Sequence, residues 1–188
     1  MKQIYDITRG MFSTEPYPGD PVPALDTLQT IPDAGYRLSA LRCCCHAGTH
    51  IDAPSHYIEG GAGIAEIPLQ TFCGPCAVWK GQPLPGRGQL RDWVQEGISI
   101  LLLQGEIPTS FAKAAVEEGI VFLGTDAPSI GREPEEEAVH RILLQAGIPV
   151  LENADLDGVP AGEYRLAAFP LKLEGAEAAP VRAVLWIE

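Results

Sequence analysis

The spacing of apolar positions changes part-way along the chain. In the first half, residues 3–7, 24–31 and 36–45 form short runs rich in apolar side chains, separated by breaks that contain Pro and Gly, and each run predicts a strand. Past residue 88 the pattern turns to an alternation of helix and strand. Residues 90–96 predict a short helix and 98–103 a buried strand. Thr109 or Ser110 can cap a helix that runs to about Glu118, where Gly119 closes it, and 120–123 predicts another buried strand. Pro134 suits the first turn of a further helix, the three glutamates after it suit the positive end of the helix dipole, and Gly147 closes the segment. That helix carries His140. Short strands over 149–151 and 181–187, with an extended stretch over 165–173, complete the pattern. The expectation is a mixed α/β domain in which helices, concentrated in the second half, pack on a sheet.

No repeat, low-complexity tract or linker divides the sequence, and 188 residues suit a single domain, 1–188, better than two. A hydrophobic content of 46% with 20% charged residues is ordinary for a globular chain. The formal charge of -12 disfavours nucleic acid and anionic membrane surfaces as partners, because both demand a basic patch and no Lys/Arg cluster occurs. The apolar stretch 98–103, broken by Ser99, is far too short to cross a bilayer, and Met1-Lys2-Gln3-Ile4-Tyr5-Asp6 lacks the apolar core of a signal peptide. A cytoplasmic location is therefore expected. The cysteines, at 43, 44, 45, 73 and 76, are odd in number and grouped, which reads as reduced thiols and not as a disulfide framework. Alternation along a strand would send Cys44 to one side and Cys43 and Cys45 to the other, all three as small apolar fillers.

Candidate chemistry concentrates in His46-Ala47-Gly48-Thr49-His50-Ile51-Asp52-Ala53-Pro54-Ser55-His56, which holds three of the four histidines and a carboxylate. Imidazole with carboxylate suits a divalent ion such as zinc or manganese. His46 and His50 are four apart, as in the H-E-x-x-H metalloproteases, but position 47 is Ala, and Gly48 with Pro54 opposes a helix here. In an extended run His46, His50, Asp52 and His56 share even spacing and project to one side. His140 sits at the margin of the stripe formed by Ala138, Val139, Ile142, Leu143 and Ala146, where a histidine either meets solvent or faces a cleft. Glu152 ends the apolar Pro149-Val150-Leu151, as a solvated strand end or as one of the binding residues that collect at such ends in α/β folds. Cys73-Gly74-Pro75-Cys76 copies the thioredoxin tetrapeptide, yet Ala77-Val78-Trp79-Lys80 after it is strand-like, whereas a redox dithiol needs a helix N-terminus. Gly60, Gly61 and Gly63 lack the Lys-Ser/Thr pair of a phosphate loop and read as a flexible loop beside the metal site. No G-x-S-x-G elbow supports a serine triad.

The run from His46 to His56 resembles the H-x-G-T-H-x-D-x-P-x-H signature of the metal-dependent cyclase family, whose best-known enzymes are the bacterial kynurenine formamidases. Tyr17-Pro18-Gly19-Asp20-Pro21 is similar to the family's P-G-D loop, and Gly124-Thr125-Asp126-Ala127-Pro128-Ser129 to its G-x-D-x-P-S segment. The stretches from His140 to Asn153 and from Pro170 to Ala183 extend the likeness over nearly the whole chain. The resemblance implies a swivelling β/β/α fold and two divalent ions, Zn or Mn. His46 and His50 would bind one ion, Asp52 both, His140 the second, with Glu152 bridging, and His56 would transfer protons.

That set implies a hydrolase for a carbon–nitrogen amide bond, with a small-molecule amide substrate, most plainly N-formylkynurenine split to kynurenine and formate. Hydrolysis of another aromatic or cyclic amide such as isatin, or metal binding without turnover, are the alternative expectations. Kynurenine formamidases usually carry tryptophan before the P-G-D segment to hold the aromatic substrate, and Tyr17 stands there in this chain. A homodimer or homotetramer is the implied assembly.

Overall fold

The computed structural model describes residues 3–187. The chain opens with β1 (Ile4–Asp6), followed by β2 (Ala24–Gln29), the short α1 (Ile31–Ala34), β3 (Leu38–Arg42) and β4 (His50–Asp52). Strands and helices then alternate through β5 (Cys73–Trp79), α2 (Arg87–Gln95), β6 (Ile100–Leu103), α3 (Thr109–Glu118), β7 (Phe122–Thr125), α4 (Glu136–Gln145) and β8 (Val150–Glu152). The long strands β9 (Gly162–Pro170) and β10 (Ala178–Trp186) end the fold. The four strands β5, β6, β7 and β8 are parallel neighbours in that order, as expected when each connection carries a helix.

A parallel sheet of four would leave two edges open. Here β9 pairs antiparallel with β5, β4 pairs antiparallel with β8, and β10 joins the two, using Ala178–Pro180 against β4 and Val181–Trp186 against β9. Seven strands thereby close into a ring, and β1 adds to the free side of β10. Alternating side chains split the apolar residues into two cores. Ile51, Cys76, Val78, Ile100, Leu102, Phe122, Leu151 and Leu166 fill the ring. Ala77, Leu101, Leu103, Leu123 and Val150 face outward, against Leu90, Trp93, Phe111, Val139 and Leu143 of the helices. The order of layers is β/β/α, with helices on one wall only.

Several local expectations are corrected. Pro108 occupies the cap position of α3, so neither Thr109 nor Ser110 caps it; the Glu135 carboxylate, ahead of α4, accepts from the Thr109 amide (3.2 Å) and hydroxyl (2.9 Å) instead. Pro134 lies outside α4, which begins at Glu136. Strand β3 stops at Arg42, leaving Cys43 exposed and Cys44 and Cys45 half-buried, so the three are not strand fillers. The tetrapeptide Cys73–Cys76 lies within β5 and not at a helix start, and burial pushes the Cys76 thiol up to about 12, away from a reactive thiolate. The glycine loop is tightly built: a side chain at Gly61 would meet the Pro54 carbonyl carbon at 2.8 Å, and the Ser55 amide donates to Ala62. Hairpin β2–β3 stands apart from the ring, and no residue from Pro21 to Cys43 is buried. Among the described residues no helix is long and apolar enough to cross a membrane.

Candidate metal centre

The extended run expected from His46 to His56 is extended only in its middle. Strand β4 covers His50–Asp52, so His50 and Asp52 share its outward face while Ile51 enters the ring. His46 arrives from a tight turn closed by Gly48, whose φ of 65° and 2.9 Å approach to the Met11 backbone exclude a side chain. His56 ends a 3-10 turn, Pro54–His56. Turn, strand and turn thus deliver the side chains that a uniform strand would have spread along about 30 Å.

Register supplies the remaining groups. His50 lies directly opposite Glu152 across β4 and β8, and Glu152 sits at the C-terminal end of a parallel strand, as expected for a binding residue. Helix α4 follows β7 and places His140 over the same spot. Thr49 ties the strand ends together, its hydroxyl donating to the Asn153 carbonyl (2.6 Å) and accepting the Arg9 amide (2.8 Å). Asn153 takes a left-handed φ of 55°, a conformation asparagine tolerates better than most residues.

Two triads result, His46 with His50 and Asp52, and Asp52 with His140 and Glu152. Asp52 Oδ1 is 2.9 Å from His46 Nδ1 and 3.4 Å from His50 Nε2, while Oδ2 is 3.7 Å from His140 Nε2. Glu152 reaches His50 Nε2 (3.5 Å) and His140 Nε2 (3.1 Å), and its Oε1 accepts the Ile130 amide at 2.7 Å. His50 Nδ1 donates to the Gly48 carbonyl (3.0 Å) and His140 Nδ1 to the Glu136 carbonyl (2.9 Å). A carbonyl only accepts, so each Nδ1 carries the proton and each Nε2 presents a lone pair.

Those lone pairs face carboxylates. The contact is repulsive unless a cation, a second proton or a metal, lies between them. His50 Nε2 and both Asp52 oxygens are buried without hydrogen-bond partners, an arrangement costly in a metal-free interior and suited to a metal. Without metal the site binds protons: burial works against charge on His50, yet Asp52 and Glu152 carry it up to about 10, and His140 likewise to about 9. Burial pushes Asp52 up, but His46 and His50 outweigh it and hold the carboxyl below its usual range. Glu152 is also lowered, its burial and the Asp52 charge being overcome by His140 and His50. Nitrogen and carboxylate donors, with no thiolate in either triad, fit a divalent ion of the zinc or manganese kind.

His56 stands beside this set and not in it, its ring 4.5 Å from His46 and 6.1 Å from His140. Burial lowers its basicity, so it is neutral near pH 7. Tyr17 and Asp20 of the P-G-D loop and Pro128 and Ser129 of the G-x-D-x-P-S segment line the cleft above the triads. Tyr17 donates to the Glu136 carboxylate (3.0 and 3.1 Å), which fixes its half-exposed ring at the mouth. Sequence reasoning missed Glu136, Tyr57 and Ser129 as lining groups. Tyr57 stacks on His140 at 4.9 Å. The signal for Glu136 was present, since it lies one helical turn before His140.

Residues 5–98 match the family described as "Putative cyclase". The kynurenine formamidase of Paracidovorax citrulli (strain AAC00-1) is 34% identical over 211 residues, spanning 98% of this chain and 96% of the relative. A solved structure described as a potential metal-dependent hydrolase with cyclase activity superposes with a TM-score of 0.81 at 29% identity, over 100% of this chain and 99% of the other. Isatin hydrolase A from Labrenzia aggregata, bound to benzyl benzoate, shares the fold with a TM-score of 0.76 at 19% identity, over 99% and 94% of the two chains. Matched through its signature segment and, at above 30% identity, along almost its whole length, the chain belongs to the cyclase family.

Proposed function

We propose that the protein is an arylformamidase, a metal-dependent amidohydrolase that splits N-formylkynurenine into kynurenine and formate. The observation that carries this reading is the set of buried, unpartnered lone pairs on His50 and Asp52, set beneath a cleft with an aromatic mouth. His46, His50 and Asp52 would hold one divalent ion, and Asp52, His140 and Glu152 a second, with Zn or Mn as the metal. Bound ions supply charge that polarises a substrate carbonyl and brings the pKa of a water toward neutrality, each effect worth several kcal/mol.

The chain's own groups do the rest. His56 takes the proton that the attacking water loses and delivers it to the nitrogen of the departing amine, so that amide and water leave as formate and amine. Its lowered basicity keeps it free to accept near neutral pH. Tyr17 and Tyr57 flank the cleft as walls for an aromatic ring. The chain would work in the cytoplasm on a small-molecule amide, with no nucleic-acid or membrane partner. Assembly as a homodimer or homotetramer is supported by the β2–β3 hairpin, which leaves Leu25, Ile31, Tyr36 and Leu41 about half exposed or more. Light scattering on a Leu41→Asp variant tests that assembly.

Turnover of N-formylkynurenine, isatin and formanilide by chelated and by Zn- or Mn-reloaded protein tests the activity. Formate release that vanishes on chelation and returns with metal is the expected result. Preference for isatin would reassign the substrate to a cyclic amide, and metal uptake without turnover on any of the three would leave a binding protein.

A further inference from the structure

Of the three histidines in the triads, two are oriented by backbone carbonyls and one is not. His50 and His140 each spend Nδ1 on a carbonyl, whereas both ring nitrogens of His46 face carboxylates, Nδ1 to Asp52 at 2.9 Å and Nε2 to Glu177 Oε1 at 3.4 Å. The two nitrogens lie on separate edges of the imidazole, so Glu177 is turned away from the cluster that Asp52 belongs to. Glu177 is accordingly absent from both triads.

Its position is nonetheless fixed. The Glu177 carbonyl accepts the Ala53 amide at 2.8 Å, which extends the β4–β10 pairing one step beyond Asp52 and Ala178. The neighbouring Ala176 carbonyl accepts the Ile64 amide at 2.9 Å and lies where a side chain on Gly63 would come within 3.1 Å. A turn held at both residues presents one carboxylate to the outer edge of His46.

We propose that Glu177 is a positioning residue for the metal centre: its carboxylate accepts the Nε2 proton of His46 and so directs the Nδ1 lone pair, beside Asp52, at the ion. The inference rests on the metal-centre reading above. Carboxylate–imidazole–metal relays of this kind set the tautomer and orientation of a ligand, and their loss weakens metal binding by about 10- to 100-fold. The Glu177 side chain is 42% exposed, which screens the contact and places the expected effect near the lower end, roughly tenfold.

Competition titration of the chelated protein with Co2+, followed by the visible absorption of the bound ion, tests this without recourse to activity. Glu177→Ala should weaken the ion held by His46 roughly tenfold, and Glu177→Gln, which keeps a neutral acceptor, should recover part of the loss. Ala and Gln remove the same charge, so equal losses would reduce Glu177 to a general electrostatic influence and overturn the proposal. Unchanged affinity in both variants would overturn it as well. In a His46→Ala background, adding Glu177→Ala should cost nothing more; a further tenfold loss would show that Glu177 does not act through His46. A parent chain that takes up no metal would remove the metal-centre reading itself, whereas a parent that binds normally beside unaltered variants removes Glu177 alone.

Discussion

Strands β4 and β8 carry opposite chemistry on their two faces at the same depth. Inward, Ile51 and Leu151 are 0% exposed among the hydrocarbons that fill the ring; outward, His50, Asp52 and Glu152 are 2%, 1% and 5% exposed. Burying an aliphatic side chain contributes about 1.5–3 kcal/mol. Burying an ionised carboxylate costs several kcal/mol and is offset only by a close, well-oriented partner. Equal burial therefore stabilises the fold on one face and strains it on the other until a cation arrives. The inner face serves the fold and the outer face carries the groups that could hold a metal, although they are separated by a single residue.

The sharpest way to break that contrast is to change one residue on each face. Asp52→Asn keeps the volume but removes the charge that both triads share, so metal content should fall and turnover should drop by roughly 10^3-fold, the loss of several kcal/mol of electrostatic stabilisation. Elemental analysis beside steady-state kinetics reads both, and turnover within tenfold of the parent would contradict the assigned role. Ile51→Ala, the residue between, should do the reverse. It should cost about 2–5 kcal/mol in urea unfolding and leave the metal content of the folded protein unchanged. Metal loss without a stability loss would mean that the two faces are not separable.

The same alternation explains what could be read from the sequence. His50 and Asp52 obey a period of two because both lie on β4, and Glu152 was legible as the end of a buried strand. The period failed at His46 and His56 because β4 is only three residues long and turns take over on both sides. Periodicity also marked the hairpin strands without indicating that they leave the ring, since apolar residues on an exposed arm look like apolar residues bound for a core. Thr109 and Ser110 both suit a cap by residue type, whereas the carboxylate at the start of α3 comes from Glu135, ahead of the next helix. Glu177 gave no signal. Its approach to His46 arises from pairing between β4 and β10, segments remote in sequence.

Acidity offers a graded test of the outer face. In the metal-free chain His50 and His140 are raised from 6.5 to about 10 and about 9, so their contribution to stability is full below pH 6.5 and is lost as pH rises through 9 to 10. In the loaded protein metal replaces those protons, and its binding strengthens as they become easier to remove. The gap in Tm between loaded and chelated protein should thus widen steadily from pH 6.5 to 9. Differential scanning calorimetry at several pH values measures it, and a constant gap would mean that the two imidazoles do not exchange protons for metal.

The smallest effect is expected where the outer face meets solvent. Tyr17 is 44% exposed, and its hydroxyl proton is held more tightly than usual, the group's pKa being pushed up to about 12 by burial and then by the Glu136 carboxylate that accepts the proton. Tyr17→Phe keeps the ring and removes only that hydrogen bond, worth at most about 1 kcal/mol at an exposed site. KM for an aromatic formamide should rise roughly two- to fivefold with kcat unchanged, the pattern of lost binding that is equal in ground and transition states. Tyr17→Trp should lower KM for N-formylkynurenine more than for unsubstituted formanilide, because a larger wall meets more of the larger substrate. A fall in kcat in either variant would place Tyr17 among the groups that act on the reacting atoms and would extend the chemical face of β4 and β8 to the mouth of the cleft.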